Sequence, residues 1–594
     1  MGRIRHRYNM GYEIKLKDSL KGFTNGLEKT ISPKETIVQF RKKLESLDID
    51  ILEETVRIDN GRLDIPVYFS VCGSDAARVI GNKKQMGKGG TPEQAEASAV
   101  MELAERFSLF SFFRKEKNFF EDDYQKIKDD TAISFEMIAE SVHENSDDLQ
   151  SAMEVFCQVP LKWTHGYNLT RKTKMLVPFN WFFTINQFNG SSAGNSNEEA
   201  ILQGICEIVE RHVSSLVSRN KLSVPLIDLE SVRDPLAVEL IDKFKKSGIK
   251  LYASDFTLDT GIPTVGALAW DPLTFPEKSE IVWTAGTTPD PEKSLIRAIT
   301  EVAQLAGDFN TASNYVASGL PKFKNLEDAG FIIDSHKKTN ISSLPNISSD
   351  NFKIEIERCA SALSENSMEV ILVDVTHPQL GIPAFYTIVP GAHFRERAVG
   401  TSVGMFSARL IAESGNPSWA VEKLMAMDRI LPGKYYINFF LGVAHLSMGE
   451  PLSALEYFQK ALELDPNKQD IPSIYSYMGV SLKELERYRD AIKILEKAER
   501  YDTERTDIYN LMGFCYFKEK KHEMAIECFK KVVQLDPSSA IDYANIGSNY
   551  RDMGDKKNAI RYYRLALELD PGIDFARESL KNLEKNHGGN EDLE

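Results

Sequence analysis

Three stretches of this chain reverse the pattern of a surface helix, in which an apolar stripe runs along a polar background. Over residues 92–113, Ala95, Ala97, Ala99, Val100, Met101, Leu103, Ala104 and Phe107 surround a narrow polar stripe of Ser98, Glu102 and Glu105 at i, i+4 and i+7. Thr91 is placed to cap this helix, Pro92 to open it and Gln94 to close a capping box. After the Gly/Ser/Asn-rich turn 191–199, Glu199, Gln203, Glu207 and Glu210 line up at i, i+4, i+8 and i+11 among Ile201, Leu202, Ile205, Cys206, Ile208 and Val209. Asp290 and Pro291 start a third helix, with Arg297, Glu301 and Gln304 in one row among Leu295, Ile296, Ile299 and Val302. The apolar remainder of each helix must be buried, so its polar stripe is drawn inward with it.

The intervening pattern predicts an amphipathic helix opening at Ser32 and Pro33 and carrying Ile37, Phe40 and Leu44. It predicts strands at 65–71 and 279–287, a hairpin over 163–180 and a charged loop region over 115–150. From about residue 435 the chain changes to paired helices punctuated by Asp465-Pro466, Asp536-Pro537 and Asp570-Pro571. Four units align at 435–468, 472–505, 506–539 and 540–573, with Gln469, Asp470 and Ile471 inserted before the second. Gly442, Gly479, Gly513 and Gly547 recur at the small-residue position of a tetratricopeptide repeat, and Ala454, Ala491, Ala525 and Ala559 at another, so paired helices approach closely. A helix over 575–585 closes the array.

Composition narrows the function classes. A chain of 594 residues has room for several domains, and 42% apolar with 27% charged residues is an ordinary globular balance. A net charge of −15, without any basic block interleaved with aromatics, argues against nucleic acid as partner. Six cysteines without a CxxC or a Cys/His cluster indicate neither a disulfide framework nor structural zinc. The basic start leads into no apolar segment and no run of about 18 apolar residues follows, so no membrane association and a cytoplasmic location are expected.

Buried carboxylates are costly unless cations or donors satisfy them. One such helix is what an internal salt bridge makes; three repeat the pattern too often for that. The rows hold Glu102, Glu105, Glu199, Glu207, Glu210 and Glu301 against Arg106, Arg211 and Arg297, with Lys88 beside the first helix. Glu199 could also serve Ser196 as a capping partner. For an excess of converging carboxylates a hard divalent cation is the natural complement, and Mg²⁺ brings a phosphate-bearing ligand with it. A P-loop is excluded, because Gly81 stands one residue too far from Gly87-Lys88 and Gly89 replaces the hydroxyl residue.

These residues resemble the motifs of the YcaO family, ATP-utilising enzymes that activate a peptide backbone amide. Ser98, Glu102, Glu105 and Arg106 stand as its SxxxExxER, preceded by Gly87-Lys88-Gly89 and Thr91. Ser192, Asn195 and Glu199 stand as its second motif, followed by ExxER at Glu207, Glu210 and Arg211; Glu301 and Gln304 stand as its ExxQ. The resemblance covers roughly residues 20–410 and extends to Ile382-Pro383 and Val389-Pro390-Gly391. It implies an α+β fold, a YcaO-type catalytic domain followed by an all-α tetratricopeptide solenoid. It also implies Glu105, Glu199, Glu210 and Glu301 as Mg²⁺ ligands, with Lys29, Thr36, Glu102, Ser192, Asn195, Glu207, Arg211 and Gln304 in contact with ATP. The implied chemistry is attack of a nucleophile on a backbone carbonyl, capture of the oxygen by the γ-phosphate and loss of phosphate; no catalytic base is assigned.

Azoline-forming members typically end in a proline-rich tail, whereas this chain ends GGNEDLE, so thioamidation or a related ATP-dependent modification is expected before cyclodehydration. The plan is similar to enterobacterial members linked to β-methylthiolation of a ribosomal protein, which leaves a non-enzymatic ATP-binding accessory role as an alternative. The expected domains are a catalytic domain at 1–415, a linker at 416–434, four repeats with a capping helix at 435–585 and a polar tail at 586–594. The repeat arm is expected to recruit a peptide or protein substrate, or a sulfur-delivering or methylthiolating helper; its alternative is homodimerisation.

Overall fold

A computed structural model describes residues 13–25, 28–81, 84–128, 131–144, 149–311, 315, 319–395 and 401–585. The basic start and the polar tail lie outside these residues. Two compact units emerge, one made of Met1–Asp147 and Pro160–Val403, the other of Asp148–Val159 and Gly404–Glu594.

The first unit mixes sheets and helices. An antiparallel sheet joins β1 (Leu52–Arg57), β2 (Val67–Cys72) and β3 (Lys84–Lys88). A second sheet contains β4 (Phe120–Asp122), β5 (Leu161–Asn168), β6 (Thr173–Pro178) and β7 (Ser191–Ala193), with β13 (Ile371–Asp374) and β14 (Ala384–Ile388) between β5 and β7. The third has the order β11-β10-β9-β8-β12, built from β8 (Leu226–Asp228), β9 (Lys250–Asp255), β10 (Thr264–Trp270), β11 (Val282–Thr287) and β12 (Lys338–Asn340). Only its β8–β12 pairing is parallel among the described strands.

Each inverted helix is clamped to a sheet. The first acidic helix, Pro92–Arg114, lies on β2 and β3 and also meets β7. Its Val100, Leu103, Ala104 and Phe107 are buried with Phe40 of the Pro33–Glu45 helix. The second, Asn197–Arg219, lies on β7 and β14; the third, Pro291–Ala306, lies on β10 and β11. Glycines make these contacts close: a Cβ on Gly87 would stand 2.1 Å from the Ala99 nitrogen, and one on Gly286 would stand 2.4 Å from the Ser294 carbonyl oxygen.

Local chemistry departs from expectation in places. Thr91 caps the first acidic helix by accepting from the Gln94 N–H, but Gln94 Oε1 reaches past Thr91 and accepts from the Gly90 N–H at 2.9 Å, so no reciprocal box forms. The expected loop over 115–150 contains β4 and the short helices Tyr124–Ile127 and Phe135–Glu140. Their apolar residues, such as Ile127, Phe135 and Ile138, bury too few turns to leave a readable period.

The second unit is helical. Pro417–Ile430, within the expected linker, is a helix that buries Ala420, Leu424 and Met427 with Ile437 and Leu441. Four helix pairs follow, Tyr435–Ser447 with Pro451–Glu463, Ile471–Glu484 with Tyr488–Tyr501, Thr506–Lys518 with His522–Leu535, and Ala540–Asp552 with Lys556–Leu569, before Asp574–Lys585. Gly442, Gly513 and Gly547 lie under the rings of Phe458, Phe529 and Tyr563. No described helix is long and apolar enough to cross a membrane.

Candidate functional site

The polar rows of all three acidic helices open onto one cavity of about 510 Å³ in the first unit, within the range of small-molecule sites. Ser98, Glu102, Glu105 and Arg106 line it from the first helix. The second supplies Glu199, Gln203, Glu207 and Arg211, and the third Arg297, Glu301 and Gln304. Lys29, Thr36, Lys88 and Asn195 complete the polar wall. Phe69, Met86, Met101, Phe188 and Leu305 make an apolar one. A smaller space of about 70 Å³ shares Lys29, Glu199, Gln203 and Arg297 with it.

Of the expected site residues, Ser192 and Glu210 are absent from this lining. Glu210 lies just behind it, 1% exposed, 3.3 Å from Arg211 and 3.4 Å from Arg297. Ser192 is buried on β7, and a Cβ on Gly204 would stand 2.8 Å from its Oγ. The alternation of β7 turns the neighbouring hydroxyl to the acids instead: Ser191 Oγ donates to Glu105 and accepts from Arg106 at 3.2 Å.

Each acid stands against a protein cation. Arg106 bonds Glu102 at 2.7 Å, approaches Glu105 at 3.2 Å and stacks on Phe188 with its centre 4.3 Å from the ring centroid. Arg211 lies 3.6 Å from Glu207, which also accepts from the Gly190 N–H at 3.3 Å. Arg297 donates to Gln203 at 3.0 Å. Lys88 of β3 forms an ion pair with Glu301. Glu199 takes Lys29 at 3.2 Å, the Thr30 N–H and hydroxyl at 3.1 and 3.0 Å, and Asn195 at 3.1 Å; Thr36 in turn donates to Asn195 at 3.2 Å. Ser196 caps the second acidic helix through the Glu199 N–H, while the Glu199 carboxylate turns to Lys29 and Thr30.

The acids divide electrostatically. Burial pushes the Glu105 carboxyl well above the ordinary carboxylate range, and the Glu102 charge pushes it further. Burial also raises Glu207 and Glu210 against the pull of Arg211. Burial opposes ionisation of Glu199 and Glu301 as well, yet Lys29 and the Thr30 N–H hold Glu199 low, and Lys88 with Arg211 holds Glu301 at about 2.

This arrangement suits a divalent cation and a polyphosphate. Burial raises the pKa of three of the carboxyls, Glu210 Oε2 and Arg297 Nε face each other at 3.4 Å without forming a hydrogen bond, and the candidate ligand atoms are hard oxygens. Among the described residues no three acids close on one point; they are drawn instead to Lys29, Lys88, Arg106, Arg211 and Arg297. Sequence reasoning missed Ser191 and Thr30, and placed Gln203 in the polar row without a role. The alternation of β7 was the only signal for Ser191, while the partners of Thr30 and Gln203 lie 169 and 94 residues away.

A family model described as YcaO cyclodehydratase, ATP- and Mg²⁺-binding, matches residues 86–393. Tetratricopeptide models match 438–468, 506–539 and 543–573. The chain is 28% identical over 384 residues to an uncharacterized protein of Methanothermobacter thermautotrophicus, spanning 61% of this chain and 94% of that one. It is 26% identical over 393 residues to the Escherichia coli ribosomal protein S12 methylthiotransferase accessory factor YcaO, spanning 60% of this chain and 64% of that protein. Among solved structures, a heterocyclase in complex with substrate and cofactor shares the fold with a TM-score of 0.53 at 23% identity, over 64% of this chain and 55% of that one.

Proposed function

This chain belongs to the YcaO family, whose ATP- and Mg²⁺-binding domain it carries at residues 86–393, and from that premise we propose that it phosphorylates a backbone amide oxygen of a peptide or protein so that a nucleophile can modify the carbon. The observation that carries this reading is the meeting of three acidic helices and their cations in one cavity. Glu105, Glu199, Glu210 and Glu301 would hold Mg²⁺, which when bound supplies charge neutralisation across the phosphates. Arg211 and Arg297 face the charge that grows on a transferring phosphoryl group, and Lys29, Thr36, Asn195 and Gln304 position the nucleotide. Among the described residues the lining contains no histidine or cysteine, which supports a nucleophile that arrives from outside or from the substrate.

With sulfide as nucleophile, a C–S bond forms at the carbonyl carbon and the carbonyl oxygen accepts the γ-phosphoryl group. The C–O bond then breaks and phosphate departs with that oxygen, leaving thioamide and ADP. The repeats supply a surface for the peptide or protein substrate, or for a helper that delivers sulfur.

A second reading, an ATP-binding accessory factor for ribosomal-protein methylthiolation, is favoured by the E. coli relative. Calorimetry with Mg²⁺ and a non-hydrolysable ATP analogue tests the site: Glu105→Ala is expected to stay folded and lose binding, and unchanged affinity sinks the assignment. Intact-mass analysis of candidate substrates incubated with ATP separates the readings. Exchange of sulfur for oxygen marks thioamidation, loss of water marks azoline formation, and no change alongside retained ATP binding marks the accessory role.

A further inference from the structure

The proposed chemistry gives Lys88 of the cavity wall no task. Lys88 reaches from β3 to Glu301 on the third acidic helix, with side chains only 16% and 10% exposed. Its charge also acts on Glu210 of the second acidic helix, which in turn feels the negative charge of Glu301. Glu301, placed here as a metal ligand, is therefore held by this ammonium, while Glu210 takes Arg211 and Arg297 at 3.3 and 3.4 Å.

Lys88 differs from Arg106 and Arg211. Arg106 and Arg211 pair with acids on their own helices, at i−1 and i−4, and keep those partners wherever the helix goes. Lys88 spans two elements and carries a compact point charge on a flexible four-carbon stem, able to change partners by rotation alone. Its own strand is fixed, since the neighbouring Gly87 presses on the backbone at Ala95 and Ala99.

We propose that Lys88 is a stand-in for the divalent metal: its ammonium neutralises Glu301 in the nucleotide-free protein and must leave it before the metal can bind. The inference rests on the ATP–Mg²⁺ reading of the cavity. Displacing the ammonium is unfavourable when only Mg²⁺ arrives, because the lysine is left buried with no anion. When a triphosphate arrives too, the ammonium turns from carboxylate to phosphate and the loss is offset. Metal and nucleotide therefore bind with positive coupling, each strengthening the other by the same factor. The cavity is thereby kept from filling with free metal alone.

The test is Mn²⁺ binding to the full chain, read from the electron paramagnetic resonance signal of free Mn²⁺, with and without the non-hydrolysable analogue AMPPNP. Wild type is expected to bind Mn²⁺ weakly alone and about tenfold or more tightly with AMPPNP. Lys88→Met, checked for folding by circular dichroism, is expected to bind Mn²⁺ without nucleotide about tenfold more tightly than wild type and to lose most of the coupling. Lys88→Arg keeps the charge and is expected to keep the coupling; should the methionine variant unfold, Lys88→Gln gives the same readout. Equal nucleotide-free Mn²⁺ affinity in wild type and the neutral variants overturns the role of Lys88 while leaving the ATP reading intact. A wild-type protein that shows no Mn²⁺-dependent AMPPNP binding overturns the ATP reading and this inference with it.

Discussion

The Asn197–Arg219 helix buries Glu198, Glu199, Glu210 and His212 together with its apolar residues, whereas the Tyr488–Tyr501 helix of the second repeat buries only Ala491, Ile492, Leu495 and Ala498. The repeat helix is stabilised as helices usually are: one small apolar face meets its neighbours and the charges stay in water. The acidic helix pays for its polar row with cations drawn from three other elements, Lys29 before the Pro33–Glu45 helix, Arg106 and Arg297. Stability alone favours replacing such buried ion pairs by apolar residues. A row of them around a cavity is therefore better explained by ligand chemistry than by folding, and the repeat helix shows how this chain packs a helix without buried acids.

The contrast can be broken most forcefully at Glu199. Glu199→Ala strands the Lys29 ammonium and the Thr30 N–H and is expected to cost about 3–5 kcal/mol in urea unfolding. A loss no larger than that of a surface substitution would mean that this acid is as expendable as a solvated one. A smaller effect comes from pH. The folded Glu301 carboxyl titrates near 2, below its ordinary value of 4.5, so its contribution is complete above pH 4.5 and is lost as pH falls toward 2. The gap in urea midpoint between wild type and Glu301→Gln should therefore be widest above pH 4.5 and close as the solution approaches pH 2. The smallest effect is expected in the repeats, where a Cβ on Gly513 would lie 2.8 Å from the Phe529 ring; Gly513→Val is predicted to cost about 1–3 kcal/mol by overpacking.

Much of this architecture is legible without coordinates. Polar rows recur on three apolar helices at helical spacing, and the repeats announce themselves through Gly513 and Gly547, 34 residues apart as Asp536-Pro537 and Asp570-Pro571 are. What stays hidden is the pairing of acids with cations. Lys88 and Glu301 are 213 residues apart, and no local pattern says that a strand residue will reach that helix rather than the one following it. The motif spacing singles out Ser192, and only the pleat of β7 turns its neighbour Ser191 to Glu105 instead. The sheets are hidden as well: β12 joins β8 in parallel from more than a hundred residues away, through three residues of unremarkable pattern.

The glycines beneath the acidic helices bear on attempts to redirect this protein. Gly87 and Gly286 seat two of those helices directly on strand backbone, and Gly204 seats the third among Ser192, Thr387 and the Gly190 carbonyl. They act as the hard stops of a jig, setting how far apart the three acidic rows stand. A library meant to change which molecule is modified should diversify the apolar wall at Met86, Met101 and Leu305 and hold these three positions constant. A methyl group at any of them would shift a whole helix, and with it every acid that the helix carries.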